Sequence, residues 1–295
     1  MKKAVIALSP RQDLDENLDH FYETLKLFQD KGFFAETSVV SVIHPLVYLM
    51  PNQWYRDMRG RLAKEALQDL DKRIKHHFQY QSIKVLQSAT DSLEYLASMV
   101  SRYAQRNGSD VLVIASNDRT GLPHWILGSF SETAALLARH PTLIIKPHMS
   151  PEQFAPTPHL VVCVDVTAPP TSKELRWIVN AAKTGEAALE LLYVQPKSRP
   201  LLDAVQRSKA PKEPQKILED MQRKLQKAGL SVSSSVLEEG SSLAQTVVDF
   251  AEQKQTWAIL TVATPRSTLR KLILGSQARR ILALTQRPFL SLRLV

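Results

Sequence analysis

A chain of 295 residues has room for about two domains, each large enough to bury a real core. With 44% hydrophobic residues, 23% charged residues and 9 glycines it reads as an ordinary globular protein, which excludes disordered and collagen-like classes. The net charge of +9 raises nucleic acid as a partner, but both signs alternate through stretches such as RLAKEALQDLDKRIKHH, which read as solvated helix faces.

The opening MKKAVIALSP carries two lysines and an apolar stretch of about five residues, short of the roughly 7 to 15 of a secretory h-region. A first strand, KAVIAL, is expected there. Leu18, Phe21, Leu25 and Phe28 then recur at spacings of three and four, which predicts a helix. TSVVSVI, a long helix from Met58 to Phe78, SIKVLQ, the helix SLEYLASMVSRYAQRNG, DVLVIAS, a further helix and TLIIKP complete the first half. After HMSPEQFAPTPH, a linker with three prolines, the plan repeats. LVVCVD, a helix, LELLYV, a helix from Glu213 to Ala228, LSVSSSV, a helix from Leu243, WAILTV, a helix and FLSLRL follow in order. Strict alternation with continuous Val, Ile and Leu runs predicts parallel sheets buried on both faces by crossover helices.

No stretch approaches the ~18 apolar residues needed to cross a membrane. Cys163, the single cysteine, lies inside LVVCVDV and is expected to be a buried, unreactive thiol; with no internal disulfide to form, the chain is expected in the cytoplasm.

The two halves are copies. ILGS occurs at Ile126–Ser129 and again at Ile273–Ser276, and the glycines Gly128 and Gly275 are 147 residues apart, as are Pro141 and Pro288. A period of that length is two domains and not a solenoid. Domains are expected at residues 1–150 and 157–295, each a doubly wound (Rossmann-like) α/β domain of five parallel strands and four helices. In such sheets ligands bind beyond the carboxyl ends of the strands where strand order reverses, here expected beside the first and fourth strands of each copy.

A helix N-terminus attracts anions, and a Gly-Ser there lets the backbone approach and adds a hydroxyl donor. The alternative for Gly128-Ser129 and Gly275-Ser276 is close strand-to-helix packing with ordinary N-caps. Strand, loop, Gly-Ser, helix, Pro, strand, repeated over nearly the whole chain as in ILGSFSETAALLARHPTLIIKP, resembles a tandem universal stress protein. The resemblance implies two domains packed as a pseudo-dimer with their terminal strands paired. It also implies a role as a stress-response regulator or adaptor, and homodimers are open to it. In the nucleotide-binding branch of that family the fourth loop carries G-x2-G-x9-G-[S/T], an Asp ends the first strand near the ribose, and a Val ends the second strand against adenine.

Laid onto this chain, the resemblance assigns the last two letters to Gly128-Ser129 and Gly275-Ser276, with Gln277 next in the helix. Asp118 and Ala115 stand for the first two glycines in one copy, Pro265 and Val262 in the other. Asp118 sets a carboxylate where phosphate would lie, and Pro265 removes a donor. The ribose Asp falls on Asp165 in the second copy but on Ser9 in the first; the adenine Val falls on Val194 and Val42. After Glu252 the chain has eight cations and no acid, and Arg266, Arg270, Lys271, Arg279 and Arg280 either hold an anion in place of the missing glycines or form a solvated face. Asp165 likewise either meets a ribose or closes a turn.

These features point to a degenerate cleft for ATP, another nucleotide or a small anion, with no catalytic or metal residue assigned. The adjacent His76 and His77 point in different directions, and His44 and His124 face the first cleft or hydrogen-bond locally. An ATP-hydrolysing or adenylate-forming enzyme of the same α/β class is the alternative. Nucleic acid is disfavoured, since Phe289 alone supplies an aromatic ring beyond Trp257.

Overall fold

The computed structural model describes residues 1–8, 18–43, 53–88, 90, 92–115, 130–137, 140–146, 149–197, 213–262 and 276–294, the side chains of 53–59, 132, 136 and 137 apart. The chain divides into two compact units, Met1–Pro151 and Glu152–Leu294.

In the first unit β1 (Lys3–Leu8), β2 (Glu36–Ile43), β3 (Ser82–Gln87), β4 (Val111–Ala115) and β5 (Thr142–Ile145) alternate with α1 (Leu18–Asp30), α2 (Gln53–Ile74), α3 (Leu93–Arg106) and α4 (Phe130–Leu137). The strands run parallel in the order β3-β2-β1-β4-β5. Val5, Ile6, Val111, Leu112 and Val113 are wholly buried, as continuous apolar runs require when helices cover both faces. On one face Val5, Ala7, Val40, Leu112 and Ile114 meet the small residues Ala97, Val100 and Ala104 of α3 and Ala134 of α4. The stripe Leu18, Phe21, Leu25 and Phe28 of α1 is buried as its spacing predicts, and each such aromatic or leucine side chain contributes about 1.5–3 kcal/mol.

The second unit repeats the plan with β6 (His159–Cys163), β7 (Ala188–Gln195), β8 (Val232–Glu238), β9 (Ala258–Val262) and β10 (Phe289–Leu292). Its described helices are α5 (Ser172–Thr184), α6 (Pro214–Lys227), α7 (Leu243–Gln253) and α8 (Ser276–Leu284). The strands are again parallel, in the order β10-β9-β6-β7-β8.

Helix starts follow their side-chain caps. Thr171 and Glu174 form a capping box on α5, and Ser92 and Ser242 accept from Tyr95 N and Gln245 N on α3 and α7; such caps contribute about 1 kcal/mol each. Helices α1, α3, α5, α6 and α7 end on one device. In α6 Gly229, at φ +84°, donates to Gln226 O at 2.8 Å while Leu230 N reaches Leu225 O at 3.3 Å. That use of Leu230 explains why β8 starts at Val232, two residues later than LSVSSSV suggests. α2 also departs from expectation: it begins at Gln53 instead of Met58 and stops at Ile74, and buried Phe78 belongs to the turn beyond it.

Candidate functional site

In each unit the first strand lies between the second and the fourth, so strand order reverses beside β1 and β4 and beside β6 and β9. This is the crevice position of doubly wound sheets. The residues leaving β6 line it in the second unit. Val164 extends the ladder by donating to Leu192 O at 2.9 Å. Cys163 is level with Leu192 on β7 and with Thr261 on β9. Carrying the β6/β7 register two residues further brings Asp165 level with Val194.

Asp165 is exposed and closes the turn that follows. Its Oδ1 accepts from Thr167 N at 3.0 Å and from Thr167 Oγ1 at 2.6 Å, and its carbonyl accepts from Ala168 N at 2.9 Å. The turn-closing reading therefore describes this side chain, and the same bonds fix its direction at the strand end. Val194 is 5% exposed and pairs with Leu237 of β8, so it contributes a wall and not an open shelf. The Cys163 thiol is pushed up to about 12 by burial although the residue as a whole is only half-buried, and it stays a thiol at neutral pH.

Ser276 and Gln277 occupy the exposed first turn of α8, where unpaired N–H groups and the helix dipole favour anions. Gly275 and Arg266 lie outside the described residues, as do Arg270, Lys271 and Pro265. Val262, standing for the first glycine of the phosphate loop, is the half-buried last residue of β9. In the first unit Val42 is half-buried against the core cluster beside Leu86 and Phe130, and Ala115 ends β4. Gly128, Ser129, Asp118, Ser9, His44 and His124 lie outside the described residues.

The basic tail divides. Arg280 is exposed on α8 and Arg279 is half-buried, with its Nε shielded and without a hydrogen-bond partner among the described residues. Arg287 belongs to the opposite, amino-terminal edge of the sheet, where it binds Glu252 and the Gln153 carbonyl. Sequence reasoning missed Glu239, which follows β8 at the carboxyl edge: its carboxylate accepts from Lys197 N at 2.8 Å and Leu243 N at 3.1 Å. Lys197 Nζ in turn donates to Gly240 O at 3.0 Å. An acid four residues ahead of an amphipathic helix was the available signal. His77 stacks on Tyr22 with centroids 4.6 Å apart, an aromatic packing role. Among the described residues no group of three or more His, Cys, Asp and Glu is arranged to hold a metal, and no helix is long and apolar enough to cross a membrane.

A family model described as the universal stress protein family matches residues 34–146 and 157–293, one match in each copy. The chain belongs to the universal stress protein family. Universal stress protein MJ0531 of Methanocaldococcus jannaschii is 26% identical over 118 residues, 39% of this chain and 68% of that protein. A crystal structure of a universal stress protein from Archaeoglobus fulgidus DSM 4304 superposes with a TM-score of 0.62 at 17% identity, covering 98% of this chain and 96% of that one. A putative universal stress protein from Pseudomonas aeruginosa UCBPP-PA14 gives 0.61 at 14% identity, covering 99% and 93%. These two likenesses show the family's Rossmann-like α/β fold in the tandem length.

Proposed function

We propose that this universal stress protein is a non-catalytic stress-response regulator or adaptor of the cytoplasm, built from domains at 1–150 and 157–295. In this reading the carboxyl edge of the second domain binds a nucleotide or small anion weakly. The observation that carries the proposal is the fixed direction of Asp165, held by Thr167 two residues beyond the end of β6. Asp165 addresses the ribose hydroxyls, Val194 flanks the base, and Gly275, Ser276 and Gln277 meet phosphate at the start of α8, with Arg266 adding charge. In the first domain Gly128, Ser129 and Val42 form the corresponding but poorer cleft, since Ser9 replaces the ribose acid and Asp118 repels phosphate.

Binding without turnover follows from the front of each phosphate loop. Pro265 has no N–H to give, and Asp118 opposes negative charge, so neither loop gathers the donors that would stabilise charge building up on a transferring phosphoryl group. The test is phosphate release from ATP and Mg2+ by the purified chain, beside Asp165→Ala and Ser276→Glu. Release at the buffer rate is expected. Release above it that both substitutions abolish would establish an ATP-hydrolysing enzyme instead.

A further inference from the structure

Helices α5 and α6 enclose a groove of about 310 Å3 on the second unit. Its apolar floor comes from Leu175 and Val179, one turn apart on α5, and from Leu225 and Ala228 on α6. Arg176 and Lys224 stand exposed at its margins. Among the described residues neither cation has a carboxylate partner, and the acids beside them on the two helices are engaged elsewhere. Glu174, the one acid of α5, is buried in the capping box, where it accepts from Thr171 N at 2.6 Å. Asp220, one turn before Lys224, pairs with Arg223.

An apolar floor with cations and no acid at its rim fits an occupant that is apolar on one face and anionic beside it. A floor set at i and i+4 on one helix and i and i+3 on the other is shaped for side chains projecting from a third helix. The volume admits one or two large side chains. Nucleic acid would use the two cations and leave the apolar floor empty, and the groove offers no ring for a base to stack on. A membrane surface needs a broader basic and apolar face than two cations supply. A second copy of this chain brings a net charge of +9 against a basic rim.

We propose that this groove docks an acidic amphipathic helix of a partner protein, which seats a bulky apolar side chain among Leu175, Val179 and Leu225 and sets carboxylates against Arg176 and Lys224. The proposal rests on the adaptor part of the reading above and uses none of Asp165, Val194 and Ser276. Failure here and failure of nucleotide binding are therefore separable.

The experiment titrates the 15N-labelled full chain with a synthetic helical peptide carrying Leu at i, i+4 spacing and Glu beside each Leu. A Lys-for-Glu peptide, a Ser-for-Leu peptide, duplex DNA and anionic vesicles serve as competitors. Amide shifts confined to α5 and α6 are expected with the first peptide, weakened about tenfold in Arg176→Glu with Lys224→Glu and by raising salt from about 50 to about 500 mM. Both residues are exposed, so an unchanged melting midpoint separates lost docking from lost folding. Val179→Asp, which places a charge on the floor, gives a second route to the same loss. The proposal is overturned by unperturbed α5 and α6 amides at ~1 mM Leu/Glu peptide, by equal binding of the Lys or Ser peptide, or by displacement of the same amides by DNA or vesicles.

Discussion

Buried Arg287 and half-buried Glu252 form an anchor across 35 residues of chain: Nε donates to Glu252 Oε2 at 2.7 Å and Nη2 approaches the same oxygen at 2.6 Å. The third arm, Nη1, donates to Gln153 O at 2.6 Å, and the guanidinium lies 5.9 Å from the Phe154 ring. Phe154 packs on Trp257, whose Nε1 donates to Ala155 O at 2.8 Å. The last acid of the chain thus holds one of the eight cations that follow it, and together they fix residues 153–155 to the amino-terminal edge of the second sheet.

Arg287→Ala is expected to destabilise the second unit by about 2–3 kcal/mol, since it strands Glu252 and a linker carbonyl; the 37% exposure of Glu252 keeps the loss below that of a fully buried pair. Urea unfolding followed by tryptophan fluorescence measures it. A loss under ~0.5 kcal/mol would make the contact incidental.

Two helices end as α6 does but without glycine. Glu186 and Gln255 both sit at φ 48°, and Ala187 N and Thr256 N reach back to Ala182 O and Ala251 O at 2.8 and 3.0 Å. Glu186→Gly and Gln255→Gly are each expected to stabilise by about 0.5–1 kcal/mol, while Gly229→Ala at φ +84° costs about 1 kcal/mol. Denaturant midpoints of the three variants decide it, and a loss in both Gly variants would contradict the account.

His140 stands where Arg287 stands in the other copy, and its Nε2 is buried without a hydrogen-bond partner among the described residues. Burial pushes its pKa from 6.5 down to about 4, against a smaller opposing pull from Asp110. The unfolded chain therefore binds more protons between pH 6.5 and 4, so the contribution of this group is present above pH 6.5 and is lost as pH falls through that window. The full loss is on the order of 3 kcal/mol. His140→Gln is expected to flatten this part of the stability profile relative to the parent chain; parallel profiles from pH 7 to 4 would refute it.

Much of this was legible in the sequence because it is local or periodic. Pro214 at the start of α6 and Gly229 past its end bound that helix to within a residue, and the alternation of apolar runs with helical periods, repeated after 147 residues, matches the five parallel strands of each unit. The end of β7, one residue past Val194, and the end of β6, two residues before Asp165, could be placed for the same reason. What the sequence hid depends on partners far along the chain. Arg287 reads as one more tail cation until Glu252 and Gln153 are seen beside it, and Leu230 reads as strand until it closes a helix. Asp165 permitted two roles by type alone, and only its bonds to Thr167 identify the turn.

The central claim, a weak nucleotide or anion site at the carboxyl edge of the second domain, is tested most directly by the melting midpoint of the full chain against ATP, ADP and AMP with Mg2+. Saturation near a hundred times Kd adds about 2.7 kcal/mol to the bound unit. A concentration-dependent rise is expected only at millimolar nucleotide, abolished in Asp165→Ala and in Ser276→Glu, whose added charge repels phosphate while leaving the helix start intact. No rise with any nucleotide, or a rise that survives both substitutions, would contradict the account.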